Sequence, residues 1–195
     1  VAYVQLYSFD GNTDTAFYNA MREVLIDKKA KGMVLDMRNN PGGYLDVAVN
    51  LAGWFIPRGS VVVKEKYADG KVDVFKANGN GALKDLPVVV IINGGSASAA
   101  EILAGALKVN RKVKLIGEKS FGKGSVQELQ TLKDDSAIKV TVAKWLLPDD
   151  SAIDKIGIVP DVTVTLTESD INSGLDPQLD KALELIHKQL EQLGK

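Results

Sequence analysis

The chain of 195 residues is 45% apolar and 25% charged, with 24 basic against 25 acidic side chains, a single His and no Cys. That is ordinary for one globular domain with a sizeable core, and a net charge of −1 with scattered aromatics excludes a basic or base-stacking nucleic-acid surface. Disulfides, thiolate metal sites, a cysteine nucleophile and multi-histidine metal clusters are excluded, and no apolar run approaches the ~20 residues needed to cross a bilayer.

Residues 1–9 alternate apolar and polar positions and predict a strand; the chain lacks an initiator Met and opens inside this pattern, as a piece of a longer protein would. Asp10-Gly11-Asn12 predicts a turn. Asn12 or Thr13 then caps a helix in which Phe17, Ala20, Met21, Val24 and Leu25 recur at helical spacing, with positive charge at 28–31 and Gly32 as its stop. Residues 33–37 predict a second strand. Arg38-Asn39-Asn40-Pro41-Gly42-Gly43 follows it; such a glycine pair permits close approach of backbone to a ligand, although taken alone the loop reads as the commoner plain turn. Leu45, Ala48, Val49, Ala52 and Ile56 predict another helix, and 61–66 and 72–75 a hairpin around Asp69-Gly70.

The organising stretch comes next. Val88 to Ile92 is a β-branched apolar run, as expected of a strand covered on both faces. Asn93-Gly94-Gly95 breaks it, and a helix follows with Ala99, Ile102, Leu103, Ala106 and Leu107 on one stripe. Ser96 and Ser98 therefore lie on a sharp strand-to-helix turn, where unpaired backbone N–H groups favour negative charge. A hydroxyl there can attack a carbonyl while nearby amides receive the oxyanion; a serine at a helix start is equally a plain cap, and this segment alone leaves both readings open.

A short strand at 112–116 leads into Gly117-Glu118-Lys119-Ser120-Phe121-Gly122-Lys123-Gly124-Ser125-Val126-Gln127. The spacing nearly matches a phosphate-binding loop, but Gly124 stands where Ser or Thr would hold magnesium, and β-like sequence follows instead of a helix. Residues 137–147 and 162–166 predict strands, and Asp176 with Pro177 starts a closing helix over about 176–193, on which His187 borders the apolar stripe as a packing or surface residue. With His187 so placed and no Cys, a nucleophilic Ser98 needs a lysine as its base, and Lys123 in its glycine-flanked loop is a candidate. A lysine base needs its pKa lowered from ~10.4 to about 7–8 by burial, which predicts that the glycine-flanked loop buries this amine and that activity rises towards mildly alkaline pH. Gln127, four residues on along an extended segment, shares the face of Lys123 and can orient the amine.

Taken together, Gly95-Ser96-Ala97-Ser98-Ala99-Ala100-Glu101-Ile102, the loop 117–127, Arg38 to Gly43, Gly157-Ile158-Val159-Pro160-Asp161 and Asp176-Pro177-Gln178-Leu179 resemble, in order, the carboxy-terminal processing proteases, the tail-specific serine peptidases of family S41. The resemblance covers nearly the whole chain. It implies an α/β core related to Clp peptidase and crotonase, with mixed β-sheet elements and packed helices, spanning 1–195 as a single peptidase core. By position it implies Ser98 as nucleophile, Lys123 as general base, Gln127 as its orienting partner, and the backbone N–H groups of Gly43 and Ala99 as the oxyanion hole. It implies no cofactor and no metal, polypeptide substrates with exposed C-terminal tails, an extracytoplasmic (periplasmic) workplace and a possible homo-oligomer. Family members carry a PDZ domain ahead of the core, and nothing in these residues resembles one. Ala100 replaces a serine common in the family, and Leu147-Pro148 followed by Asp149-Asp150 replaces its usual Thr-Pro turn, a change expected to alter substrate fit. Two other expectations compete: a catalytically silent scaffold or an excised inactive core keeping the fold, and a crotonase-like acyl-coenzyme-A enzyme, which leaves Lys123 and Gln127 unexplained.

Overall fold

Two β-sheets of opposite character divide the strands of the computed structural model, which describes residues 1–27, 29–133 and 136–194. In chain order the elements are β1 (Ala2–Gln5), α1 (Thr13–Arg22) continued by a π-helical turn at Glu23–Asp27, β2 (Met33–Asp36), α2 (Leu45–Phe55), β3 (Val61–Tyr67), β4 (Val72–Lys76), β5 (Val88–Ile92), α3 (Ala99–Arg111), β6 (Lys114–Gly117), β7 (Ser125–Thr131), β8 (Ala137–Leu146), β9 (Val162–Thr163), α4 (Glu168–Asn172) and α5 (Pro177–Gln192). The five-stranded sheet runs β1-β2-β5-β6-β9 with every pairing parallel, and the four-stranded sheet runs β4-β3-β8-β7 with every pairing antiparallel. The α/β class read from the sequence is the one observed.

Side chains of β5 alternate across the parallel sheet. Val90 and Ile92 join the large core with Phe17, Leu51, Phe55, Ile102 and Leu103, whereas Val89 and Ile91 join a smaller core with Ala182 and Ile186 of α5. Helices α1, α2 and α3 thus cover one face and α5 the other. The apolar stripe expected on α3 understates its burial: every residue from Ala99 to Leu107 is buried, Glu101 included. The helix packs against α2, β6 and β3 at once, so it lies between the two sheets rather than at a surface. Gly105 permits this, because a Cβ there would collide with the Leu147 side chain.

Two expectations differ in detail. The first helix widens into its π-helical turn after Arg22, although Val24 and Leu25 still pack on the core. The last strand shrinks to two residues, and α4 follows it, capped by the Thr167 side chain accepting from the Asp170 N–H. Of the basic run at 28–31, Lys28 lies outside the described residues. The closing helix starts as read: the Asp176 carboxylate accepts from the Leu179 N–H, with Pro177 in the first turn. His187 is exposed.

Candidate active site

In a parallel sheet the carboxyl ends of the strands open at one edge, where ligands collect. The loops leaving β2, β5 and β6 at that edge are the three singled out in the sequence. Each is fixed by a buried polar side chain.

Asn40 shapes the first loop. Its Nδ2 donates to Leu6 O at 2.7 Å, its Oδ1 accepts from the Gly42 N–H at 2.9 Å, and its own carbonyl accepts from Ala97 N at 2.9 Å. The loop therefore folds back onto the serine turn. Gly42, at φ +92, sits so close that a Cβ on it would lie 2.7 Å from Ser98 Cβ and 2.9 Å from Ala99 N. Gly43 packs against Phe9, whose N–H and carbonyl bond Gly42 O and Tyr44 N. Among the described residues neither the Gly43 N–H nor the Ala99 N–H has a hydrogen-bond partner, so the adjacent Gly42–Gly43 and Ser98–Ala99 peptides offer two free donors. A plain turn would not need this contact.

The two serines part company. Ser96 is fully buried; its hydroxyl donates to Met37 O at 2.8 Å and accepts from the Asn93 N–H at 3.0 Å, which ties the turn to the end of β2. Ser98 is half-buried at the start of α3 with φ 54 and ψ −117, a conformation that an L-residue adopts only under constraint.

Sequence reasoning missed Glu101, which joins the serine to the lysine loop. Its carboxylate is buried and accepts four hydrogen bonds: Oε2 from the N–H of Ser98 and from the N–H of Lys123, both at 2.9 Å, and Oε1 from Ser120 Oγ at 2.5 Å and from the Gly122 N–H at 2.7 Å. The signal was present in the spacing Ser-x-x-Glu at a helix start, a capping box. A further stitch runs from the Phe121 N–H to Ser96 O at 3.0 Å.

On its far side the lysine loop leans on residues 153–158. Ser120 Oγ accepts from the Ile158 N–H at 2.6 Å, and Lys155 N donates to Gly122 O at 2.9 Å. A Cβ on Gly124 would strike Asp154, and Gly157, at φ +68, leaves no room for a Cβ beside Ser120. The Gly157-Ile158 segment thus backs the lysine loop.

The structure does not bury the Lys123 amine. Gly122 and Gly124 are buried, but Lys123 is exposed, as is Gln127, and the lysine side chain forms no hydrogen bond or ion pair with any described residue, Ser98 included. The glycines turn inward against Glu101 and Asp154, which leaves the residue between them pointing away from the protein.

A second polar cluster anchors the first loop from behind. Arg38 binds fully buried Asp36 at 2.6 Å, reaches both carboxylate oxygens of Asp176 at 3.0 and 2.8 Å, and donates to Gln178 Oε1 at 3.1 Å. Burial opposes the Arg38 charge, but the two carboxylates outweigh it and hold the guanidinium protonated. Burial likewise pushes the Asp176 carboxyl up, while the bonds from Arg38 and the Leu179 N–H more than offset it and leave it below the ordinary aspartate range. Tyr3, whose hydroxyl donates to Asp36 at 2.7 Å, is pushed up to about 12 by burial and by that carboxylate.

Comparison with known proteins identifies the family. Residues 1–164 match the model of peptidase family S41. The chain is 41% identical over 189 residues to a carboxyl-terminal-processing protease of Synechocystis sp., covering 95% of this chain and 44% of that protein. It is 41% identical over 165 residues to the carboxy-terminal processing protease CtpA of Bacillus subtilis, covering 85% of this chain and 35% of that protein. The chain thus spans less than half the length of these relatives. Among solved structures, a photosystem II D1 C-terminal processing protease superposes with a TM-score of 0.78 at 41% identity, over 84% of this chain and 42% of that one. Mature CPAF, at 15% identity, shares the fold with a TM-score of 0.80, over 99% of this chain and 52% of that one.

Proposed function

The chain belongs to peptidase family S41, and from that footing we propose that it is the catalytic core of a serine endopeptidase that cleaves polypeptides near their C-terminus. Ser98 Oγ attacks the scissile carbonyl. Lys123, in its deprotonated form, takes the hydroxyl proton and passes it to the leaving amine, and Gln127 orients the lysine. The N–H groups of Gly43 and Ala99 receive the oxyanion. Water then hydrolyses the acyl-enzyme with Lys123 as base again. No metal or cofactor enters these steps. The reading also puts this work outside the cytoplasmic membrane, as the family resemblance implies.

The observation that supports it best is the Glu101 carboxylate, which seats the backbones of Ser98 and Lys123 on one oxygen. Exposed Lys123 needs drier surroundings to act as a base, and a bound chain over the loop supplies them. The test is cleavage of an unfolded polypeptide by the full-length protein. Ser98→Ala and Lys123→Ala are each expected to abolish turnover, and Ser98 alone to be labelled by a serine-reactive phosphonate. Wild-type turnover in either variant overturns the assignment.

A further inference from the structure

Strand β7 forms one edge of the antiparallel sheet, and among the described residues β8 is the only strand it pairs with. The direction of its backbone groups follows from the bonds at its two ends. Trp145 N donates to Gly124 O at 2.7 Å, and Leu132 N donates to Ser136 O at 2.7 Å. In an antiparallel pair such positions alternate, so residues 124, 126, 128, 130 and 132 turn their backbone groups to β8. The register change between Val126 and Gln127 leaves this alternation intact, because the extra residue lies on β8. Gln127, Leu129 and Thr131 therefore turn their N–H and C=O groups outward, where no described strand receives them.

This open row leads to the reactive centre. Lys123 has the same parity, and its N–H points away from β8 onto Glu101 Oε2, the oxygen that also holds the Ser98 N–H. A chain laid along the row arrives at the serine turn. The residues flanking the row suit an extended guest: Leu129, 66% exposed, stands between Gln127 and Thr131 on the same face.

We infer that the substrate polypeptide docks by adding to the open edge of β7 as an extended strand, with main-chain hydrogen bonds to Gln127, Leu129 and Thr131 guiding its scissile bond to Ser98; this rests on the peptidase reading above. Strand addition draws on main-chain bonds and so selects for unfolded segments rather than for one sequence. The added strand also covers Lys123, which accounts for an amine left exposed in the free chain.

The test uses the full-length protein, unfolded casein and a small serine-reactive phosphonate. Leu129→Pro removes one outward N–H without touching the ladder to β8. It is expected to raise KM for casein roughly tenfold, while phosphonate labelling of Ser98 continues. Val74→Pro removes an outward N–H from β4 on the opposite edge of the same sheet, where Tyr67 N bonding Lys71 O fixes the alternation, and leaves KM unchanged. A wild-type KM in Leu129→Pro, loss of its labelling, or an equal loss in Val74→Pro overturns strand addition. A second arm keeps the wild-type protein and places N-methyl groups at successive residues of a peptide substrate; cleavage should fail at alternate positions only, and uniform tolerance or uniform failure overturns the proposal. Casein cleavage that survives Ser98→Ala sinks the peptidase reading itself, whereas an intact Ser98 dependence with no parity effect sinks only the docking mode.

Discussion

Gly42 stands against Ser98 with no room for a methyl group: a Cβ added to it would lie 2.7 Å from the serine's own Cβ, at a φ of +92 that side chains resist. Gly42→Ala must therefore push the first loop off the serine turn and spoil the paired N–H donors. Loss of one oxyanion donor costs about 3 kcal/mol of barrier, so kcat on an unfolded polypeptide should fall at least ~100-fold. Gly11→Ala, where a Cβ meets nothing within 4 Å, should leave kcat unchanged. Steady-state kinetics of the two variants decide the matter.

Glu101→Gln replaces an acceptor with an amide that offers only one acceptor oxygen to four donors. At least one buried N–H loses its partner, at about 1–3 kcal/mol. The melting temperature should drop by several degrees, and kcat should fall more than KM rises, since Ser98 and Lys123 lose their common anchor. Thermal melts followed by circular dichroism, with kinetics on the same samples, separate the two effects. Equal kcat in the variant would show that the anchor does not matter to the chemistry.

The Arg38–Asp176 contact latches α5 to the loop that carries Gly43. Because the folded Asp176 carboxyl lies below its ordinary range, its stabilising contribution is complete above the unfolded aspartate value and disappears as pH falls through the lowered folded value. The carboxylate is partly solvated, so the contribution is of the order of 1 kcal/mol, or about 2–4 °C. Asp176→Asn should thus melt below wild type at neutral pH, and the gap should close in acid. A gap that is the same at pH 7 and pH 2.5 would refute the latch.

Tyr3 should ionise late. Of the five tyrosines, this one is held to about 12 by burial and by Asp36. The raised value means that folding favours the neutral phenol: that stability is present below the unfolded tyrosine value near 10 and fades as pH rises through the folded one. An alkaline absorbance titration of wild type minus Tyr3→Phe should show a phenolate step centred about two units above that of a free tyrosine. A difference step near pH 10 would contradict the contact.

Local patterns carried much of this molecule. The apolar run of β5, the two glycines after it and the stripe of α3 announce a strand, a turn and a helix without help from the rest of the chain. So do the Asp176 cap and the Asp69-Gly70 hairpin. What escaped depends on partners remote in sequence. Glu101 reads as an N-terminal capping residue, and only the fold reveals that its other donors come from Ser120, Gly122 and Lys123. Nothing near Arg38 foretells a bond to Asp176, 138 residues away. The burial expected of Lys123 went astray for a related reason: glycines mark where backbone is crowded, and here the crowding is behind the loop, not over the side chain.

Ser98 is carried at the end of the parallel sheet and Lys123 at the root of the antiparallel one, with α3 wedged between. The pair proposed to react consequently straddles a seam between two slabs, and the Glu101 carboxylate, which holds both backbones, is the rivet across it. The proposed chemistry therefore depends on how firmly that rivet joins the two sheets, and not on the cleft-lining side chains alone.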